Sequence, residues 1–188
     1  MSDYDPVSTV ARFPAIGLVG IGKGDHGVTG WVREALPSIF PSEIRILLPQ
    51  PLPSRYFHRG RDQYLADGIL ACLAGIARRE NVLCLGITAA DIFSPGLHFV
   101  FGIACTGAAL ISTFRLAPAF YGMPDNEMVY RRRILVEAVH EIGHALGLAH
   151  CEHPGCVMYF SNWIGDTDLK GPGFCYRCRR RLDLLQKG

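Results

Sequence analysis

Apolar residues along this chain fall in short continuous runs that alternate with stretches of helical periodicity. Ala15 to Gly22 (AIGLVGIG) is almost wholly apolar and is stopped by Gly22 and Lys23, which reads as a buried strand. His26 to Phe40 then carries Val28, Trp31, Val32, Leu36 and Ile39 near helical spacing, with Pro37 placed to end the helix early. Ile44 to Leu48 reads as a second strand and Pro49 to Pro53 as a proline-rich turn. Arg61 to Arg79 keeps a period near 3.6 through Tyr64, Leu65, Ile69, Cys72, Leu73 and Ile76. Val82 to Ile87 is a third strand. Leu97 to Ala104 and Ala108 to Leu116 are two more apolar runs, parted by Cys105-Thr106-Gly107. Strands alternating with helices predict an α/β fold on a mostly parallel sheet. The closeness of the last two runs predicts one antiparallel edge strand, placed at 108–116.

A long helical pattern runs from Asn126 to about Leu146, with Met128, Ile134, Leu135, Ala138, Val139, Ile142 and Leu146 as its stripe. Asp125 or Asn126 suits the N-cap, and Gly147 suits the left-handed residue that closes the helix. Beyond it the texture changes. Residues 151–188 carry several glycines and prolines, few periodic apolar runs and four of the seven cysteines. The division expected is therefore 1–147, an α/β part ending in the long helix, and 148–188, a small part held by something other than its own core. Residues 1–13 read as a loose lead-in.

Composition narrows this further. A chain of 188 residues with 49% hydrophobic residues is long enough to bury a core and too apolar for intrinsic disorder. A formal net charge of +2 argues against a surface built throughout for nucleic acid or anionic membrane. The N-terminus lacks the basic and apolar regions of a secretory signal, and no apolar stretch reaches the roughly 20 residues of a spanning helix. A cytoplasmic protein without a membrane partner is expected. The sequence does not fix the oligomeric state; a monomer is favoured.

The chemistry is concentrated in His140-Glu141-Ile142-Gly143-His144-Ala145-Leu146-Gly147-Leu148-Ala149-His150. Two histidines four apart on a helix differ by about 40° in azimuth, so both imidazoles face the same way, one turn apart. Gly147 lets the chain leave the helix sharply and return His150 as a third ligand. Three protein ligands leave a fourth zinc position open, the arrangement of a catalytic zinc. Glu141 sits beside the first ligand, where it can act as general base on water. The short HExxH pattern occurs by chance, but HExxHxxGxxH fixes five positions in eleven.

The cysteines separate in the same way. Their odd number cannot close wholly into intramolecular disulfides. Cys151 and Cys156, then Cys175 and Cys178, have spacings suited to a closed tetrahedral thiolate site that supplies folding free energy to the tail. Two disulfides are the alternative. Cys72, Cys84 and Cys105 lie in or beside apolar runs and read as buried thiols.

HEIGHALGLAH, the immediate Cys151, then Cys156, the C-x-M of Cys156 and Met158, and the late CxxC together resemble the archaemetzincins, a branch of the metzincin clan of zinc metallopeptidases. The resemblance implies a metzincin-like twisted mixed sheet with a long active-site helix and a zinc-stabilised C-terminal subdomain. It implies His140, His144 and His150 on a catalytic zinc, Glu141 as general base, Met158 in a Met-turn, and Cys151, Cys156, Cys175 and Cys178 on a second, structural zinc. Two Zn2+ per chain and a peptide or protein substrate follow from it. Some metzincins carry a tyrosine ligand two residues after that methionine; Phe160 stands there, with Tyr159 adjacent, so that role is not carried over.

Other features read more plainly. Glu137 is expected to be solvated or bound to a partner side chain and not a second acid or base. His26, His58 and His98 have no partner at ligand spacing and read as structural; His153 could replace one thiol of the tail set but reads as a solvent-exposed turn residue. The basic clusters at 131–133 and 177–181 read as solvated faces, and nucleic acid is an unlikely partner. Against the peptidase reading stands a catalytically weak or inactive zinc-binding scaffold that contacts protein or nucleic acid. Glu141 argues against it, because a scaffold has no use for a base beside a metal.

Overall fold

The computed structural model describes residues 15–22 and 26–185, so the lead-in expected over 1–13 and the side chain of His26 lie outside the described residues. The elements run β1 (Ile16–Ile21), α1 (His26–Ala35), β2 (Ile44–Ile46), β3 (Phe57–His58), β4 (Gln63–Leu65), α2 (Ala66–Glu80), β5 (Leu83–Thr88), β6 (Ile92–Phe93), β7 (Gly102–Cys105), β8 (Ala108–Ser112), α3 (Glu127–Ala145), α4 (Ile164–Leu169) and α5 (Tyr176–Leu185).

The main sheet has the order β2-β1-β5-β8-β7. Its first four strands are parallel, and β7 closes one side antiparallel to β8, with Gly102 opposite Ile111 and Cys105 opposite Ala108. Alternation along each strand feeds two cores. Ile16 and Leu18 of β1, Leu83, Leu85 and Ile87 of β5, and Ala109 and Ile111 of β8 face α1 and α3. Val19, Ile21, Cys84, Ala108 and Leu110 face α2, through Ile69, Leu70, Leu73 and Ile76. Burial on both faces is why these strands read as continuous apolar runs and not as alternating ones. A second, small sheet, β3-β4-β6, lies outside the main one.

Several boundaries differ from expectation for local reasons. The first helix ends at Ala35 and tightens into a 3₁₀ turn at Leu36–Ser38 that carries Pro37. The helix expected from Arg61 begins at Ala66, because the Tyr64 N–H donates to the Asp91 carbonyl and 63–65 pair as a strand. The run from Leu97 yields a strand only over Gly102–Cys105. The run from Ala108 stops at Ser112 and turns at Phe114–Leu116. The edge strand is therefore β7, and β8, expected at the edge, is internal. Cys84 is buried as expected, but Cys72 is half-buried and Cys105 is exposed, at the end of the edge strand.

Residues after α3 contribute two helices, α4 and α5, that no apolar periodicity announced. Cys156, Val157, Met158, Ile164, Cys178 and Leu182 join the core on the α1–α3 face. Among the described residues no helix is long and apolar enough to cross a membrane.

Candidate functional site

α3 begins where the Oδ1 of Asn126 accepts the Val129 N–H at 3.1 Å. It ends where Gly147, at φ +96°, turns the chain through the left-handed region. The Gly147 N–H returns to the His144 carbonyl and the Leu148 N–H to the Gly143 carbonyl at 3.0 Å. That closure brings His150 back over the last turn. Cys151 is then tied to the segment after it, its N–H donating to the Met158 carbonyl at 2.9 Å.

The result is a triangle of imidazoles. The ring centroids of His140 and His144 are 4.6 Å apart, as are those of His144 and His150. One donor atom from each of the three lies within 4.8 Å of the others. The Nδ1 of His140 is 2.7 Å from the Val157 carbonyl oxygen, and the Nδ1 of His144 is 2.8 Å from that of Leu148. A carbonyl can only accept, so both Nδ1 atoms carry the proton. Burial, the largest cause, holds all three imidazoles below the usual histidine range and so in the neutral form. Both Nε2 atoms then present lone pairs, and they face each other across 3.1 Å. Two facing lone pairs repel unless a cation lies between them. Nitrogens about 2.0–2.1 Å from a tetrahedral zinc sit about 3.3 Å apart, so the donor set fits that ion.

Glu141 is buried at the back of the same cleft, and burial followed by the nearby Glu137 holds its carboxyl well above the usual range. Met158 is fully buried against α3: a Cβ on Gly143 would stand 2.5 Å from its Sδ. The cleft encloses about 660 Å³ and is lined by the three histidines, Glu141, Glu137, residues 97–104 and Phe160. β7 forms one wall, and its outer side pairs with no strand among the described residues. The ring of Phe160 meets that of His150 at 4.8 Å and offers no donor atom. His98, expected to be structural, lies on the cleft wall, while His58 and His153 are exposed away from it.

The four tail cysteines also converge, each Sγ within 4.8 Å of the others. Cys151 and Cys175 sulfurs are 3.8 Å apart, which is not a disulfide. Thiolates about 2.3 Å from a tetrahedral zinc stand about 3.8 Å apart, so this set fits a closed thiolate site. Cys175 is already drawn down to about 7, chiefly by the Cys178 backbone N–H, whereas burial raises Cys156 and Cys178.

One charged residue departs from its expected place, and another takes one of the two expected for it. Arg133, expected on a solvated face, is buried and donates to both carboxylate oxygens of Asp168, at 2.8 and 2.7 Å. Glu137 is not solvated but partner-bound: it accepts from the Thr167 hydroxyl at 3.0 Å and lies 3.8 Å from the Nζ of Lys170. Lys170 was not legible as a site residue, since a lone lysine before Gly-Pro carries no pattern. Burial lowers its ammonium pKa and Glu137 pulls it back up.

Comparison with known proteins adds independent findings. The model of the family described as peptidase family M54 matches residues 40–184. The archaemetzincin of Pyrococcus furiosus is 41% identical over 174 residues, covering 88% of this chain and 91% of the relative. A crystal structure of archaemetzincin from Methanopyrus kandleri superposes with a TM-score of 0.82 at 30% identity, over 97% of this chain and 99% of that one. One of a zinc-dependent peptidase from Methanocorpusculum labreanum gives a TM-score of 0.81 at 31% identity, over 89% and 99%.

Proposed function

Because the chain belongs to peptidase family M54, in the company of the archaemetzincins, we propose that it is a zinc metallopeptidase whose reaction runs on His140, His144, His150 and Glu141. The observation that carries this reading is the pair of neutral imidazole Nε2 atoms 3.1 Å apart, with the buried carboxyl group of Glu141 beside them on one cleft. His140, His144 and His150 would hold the catalytic zinc, and Cys151, Cys156, Cys175 and Cys178 a second, structural one. A zinc ion held by these three histidines would supply Lewis acidity toward water and a peptide carbonyl.

The chain's own groups account for the rest. The carbonyls of Val157 and Leu148 hold the tautomers of His140 and His144, leaving Nε2 free as a donor. Glu141 takes a proton from the attacking water and returns it to the leaving amine. The free side of β7 offers backbone N–H and C=O groups to an extended peptide, in the manner of an added strand. Phe99, Phe101 and Phe160 give the cleft apolar walls around the place the reacting carbonyl would take. In this reading residues 1–147 form the catalytic part and 148–188 the smaller part that carries the Met-turn and the thiolate site, the two sharing one core.

The test is cleavage of a mixed peptide library by the wild type and by Glu141→Ala. Hydrolysis by the wild type, lost in the variant at unchanged zinc content, is expected. Equal hydrolysis by both would sink the role of Glu141. A wild type that holds zinc and cleaves nothing would favour the scaffold instead.

A further inference from the structure

Lys170 is completely buried, which is rare for a lysine without a partner to compensate it. Its Nζ donates to the Tyr159 carbonyl at 2.9 Å. It also lies 3.8 Å from Oε1 of Glu137 and 3.4 Å from Nδ1 of His140. The proton on that Nδ1 already goes to the Val157 carbonyl at 2.7 Å, so the lysine touches the ring without a hydrogen bond to it. One side chain therefore meets α3 through Glu137 and the 157–159 turn through Tyr159, while itself belonging to the stretch after α4. The same stretch holds that turn a second time, at Gly173, whose carbonyl accepts the Val157 N–H at 2.9 Å.

Stability alone is a poor reason to keep such a pair. Removing two charges from water is costly for each ion, and well-packed apolar residues of similar volume often serve as well or better. What an apolar pair cannot do is hold the Tyr159 carbonyl. Groups that orient a metal-binding histidine typically contribute about 10–100-fold in metal affinity.

We propose that Lys170 is a positioning residue for His140: by holding the Tyr159 carbonyl it fixes the 157–159 turn, and with it the Val157 carbonyl that orients the His140 ring. The Glu137–Lys170 pair serves this placement and not the stability of the fold. The proposal rests on the reading of His140 as a metal ligand given above.

The test uses cobalt(II) as the probe. The full-length protein is first given one equivalent of zinc to fill the thiolate site. Cobalt is then titrated into the histidine site, with the absence of a thiolate charge-transfer band confirming where it has gone. Lys170→Met is expected to bind cobalt about 10-fold or more weakly. The double variant Glu137→Met/Lys170→Met is expected to fold with a wild-type Tm and still bind cobalt weakly. Thr167→Val, which removes a hydrogen bond to Glu137 but leaves Lys170 on Tyr159, should keep wild-type cobalt affinity. A stable double variant with wild-type affinity overturns the proposal, and so does a double variant that fails to fold. If the wild type takes up no cobalt in the histidine site, the metal-ligand reading itself falls and the proposal with it.

Discussion

Gly102 on the edge strand and Glu141 on α3 are in such close contact that a Cβ at Gly102 would lie 2.6 Å from Cγ of Glu141 and 2.7 Å from its Oε1. The strand offered to substrate and the proposed base are thus seated against each other with no room for a methyl group. Gly102→Ala should push the carboxylate out of place. Displacements of about 1 Å at a reacting group can cost about 100-fold in rate. The expected outcome is a fall in kcat of about that size at unchanged zinc content. Peptide hydrolysis followed beside metal analysis decides it, and a variant with wild-type kcat would show that Glu141 does not act from this position.

A second close approach lies on the opposite side of the same helix. A Cβ on Gly143 would meet Sδ of Met158 at 2.5 Å and Cε at 3.2 Å. The sulfur and methyl are the flexible end of a side chain, but Met158 is fully buried and has little space to give. Overpacking typically costs about 1–3 kcal/mol, partly offset by the gain of about 1 kcal/mol in helix propensity from Gly to Ala. Gly143→Ala should therefore destabilise the zinc-loaded protein by about 1 kcal/mol. Denaturant midpoints at constant slope measure the change, and a stabilised variant would contradict the packing described here.

What the sequence made legible follows the strength of periodic and spacing signals. The long helix, its Asn126 cap, the left-handed Gly147 and the return of His150 were all readable, because each leaves a local mark on residue type. The thiolate cluster was readable for the same reason. Gly102, Arg133 and Lys170 were not. Their roles depend on contacts made across long stretches of chain, Gly102 with Glu141, Arg133 with Asp168 and Lys170 with Tyr159, and no local pattern announces such a meeting. The edge strand was misplaced by a related ambiguity: two apolar runs in a hairpin look alike, and only pairing with β5 tells the inner one from the outer.

The Arg133–Asp168 pair makes that long-range tie measurable. The guanidinium is bound by both oxygens of Asp168 and also donates to the Leu116 carbonyl at 3.1 Å. Its side chain is 2% exposed and that of Asp168 is 38% exposed, so the two ends of the pair are unequal. Arg133→Ala leaves the Leu116 carbonyl unpaired and opens a cavity, and should cost about 3 kcal/mol. Asp168→Ala strands a cation that is 2% exposed and retains only one carbonyl, and should cost more, because an uncompensated buried charge is the costlier break. Urea unfolding of the two single variants tests the order, and equal losses would mean that burial of the arginine is not what matters.

Removal of the thiolate metal should propagate to the histidine cage. Cys151 follows His150 directly, and its N–H and Sγ both hold that residue's neighbour in place, the first on Met158 and the second among the four sulfurs. Among the described residues no carbonyl bond of the kind that steadies His140 and His144 accompanies this anchoring of His150, whose ring rests against Phe160. Cys178→Ser replaces a buried thiol with a hydroxyl that does not form a comparable zinc bond. On the proposal of one zinc in each site, the zinc content should fall to one per chain or fewer. In this reading the thiolate metal supplies folding free energy to the tail, so a loss of several kcal/mol with it should lower Tm by about 10 °C. If the cage depends on the tail as the His150–Cys151 link implies, the remaining zinc should also exchange faster with a chelator than the histidine-site zinc of the wild type does. A variant that keeps one zinc with wild-type exchange would show that the two sites are independent despite being joined by a single peptide bond.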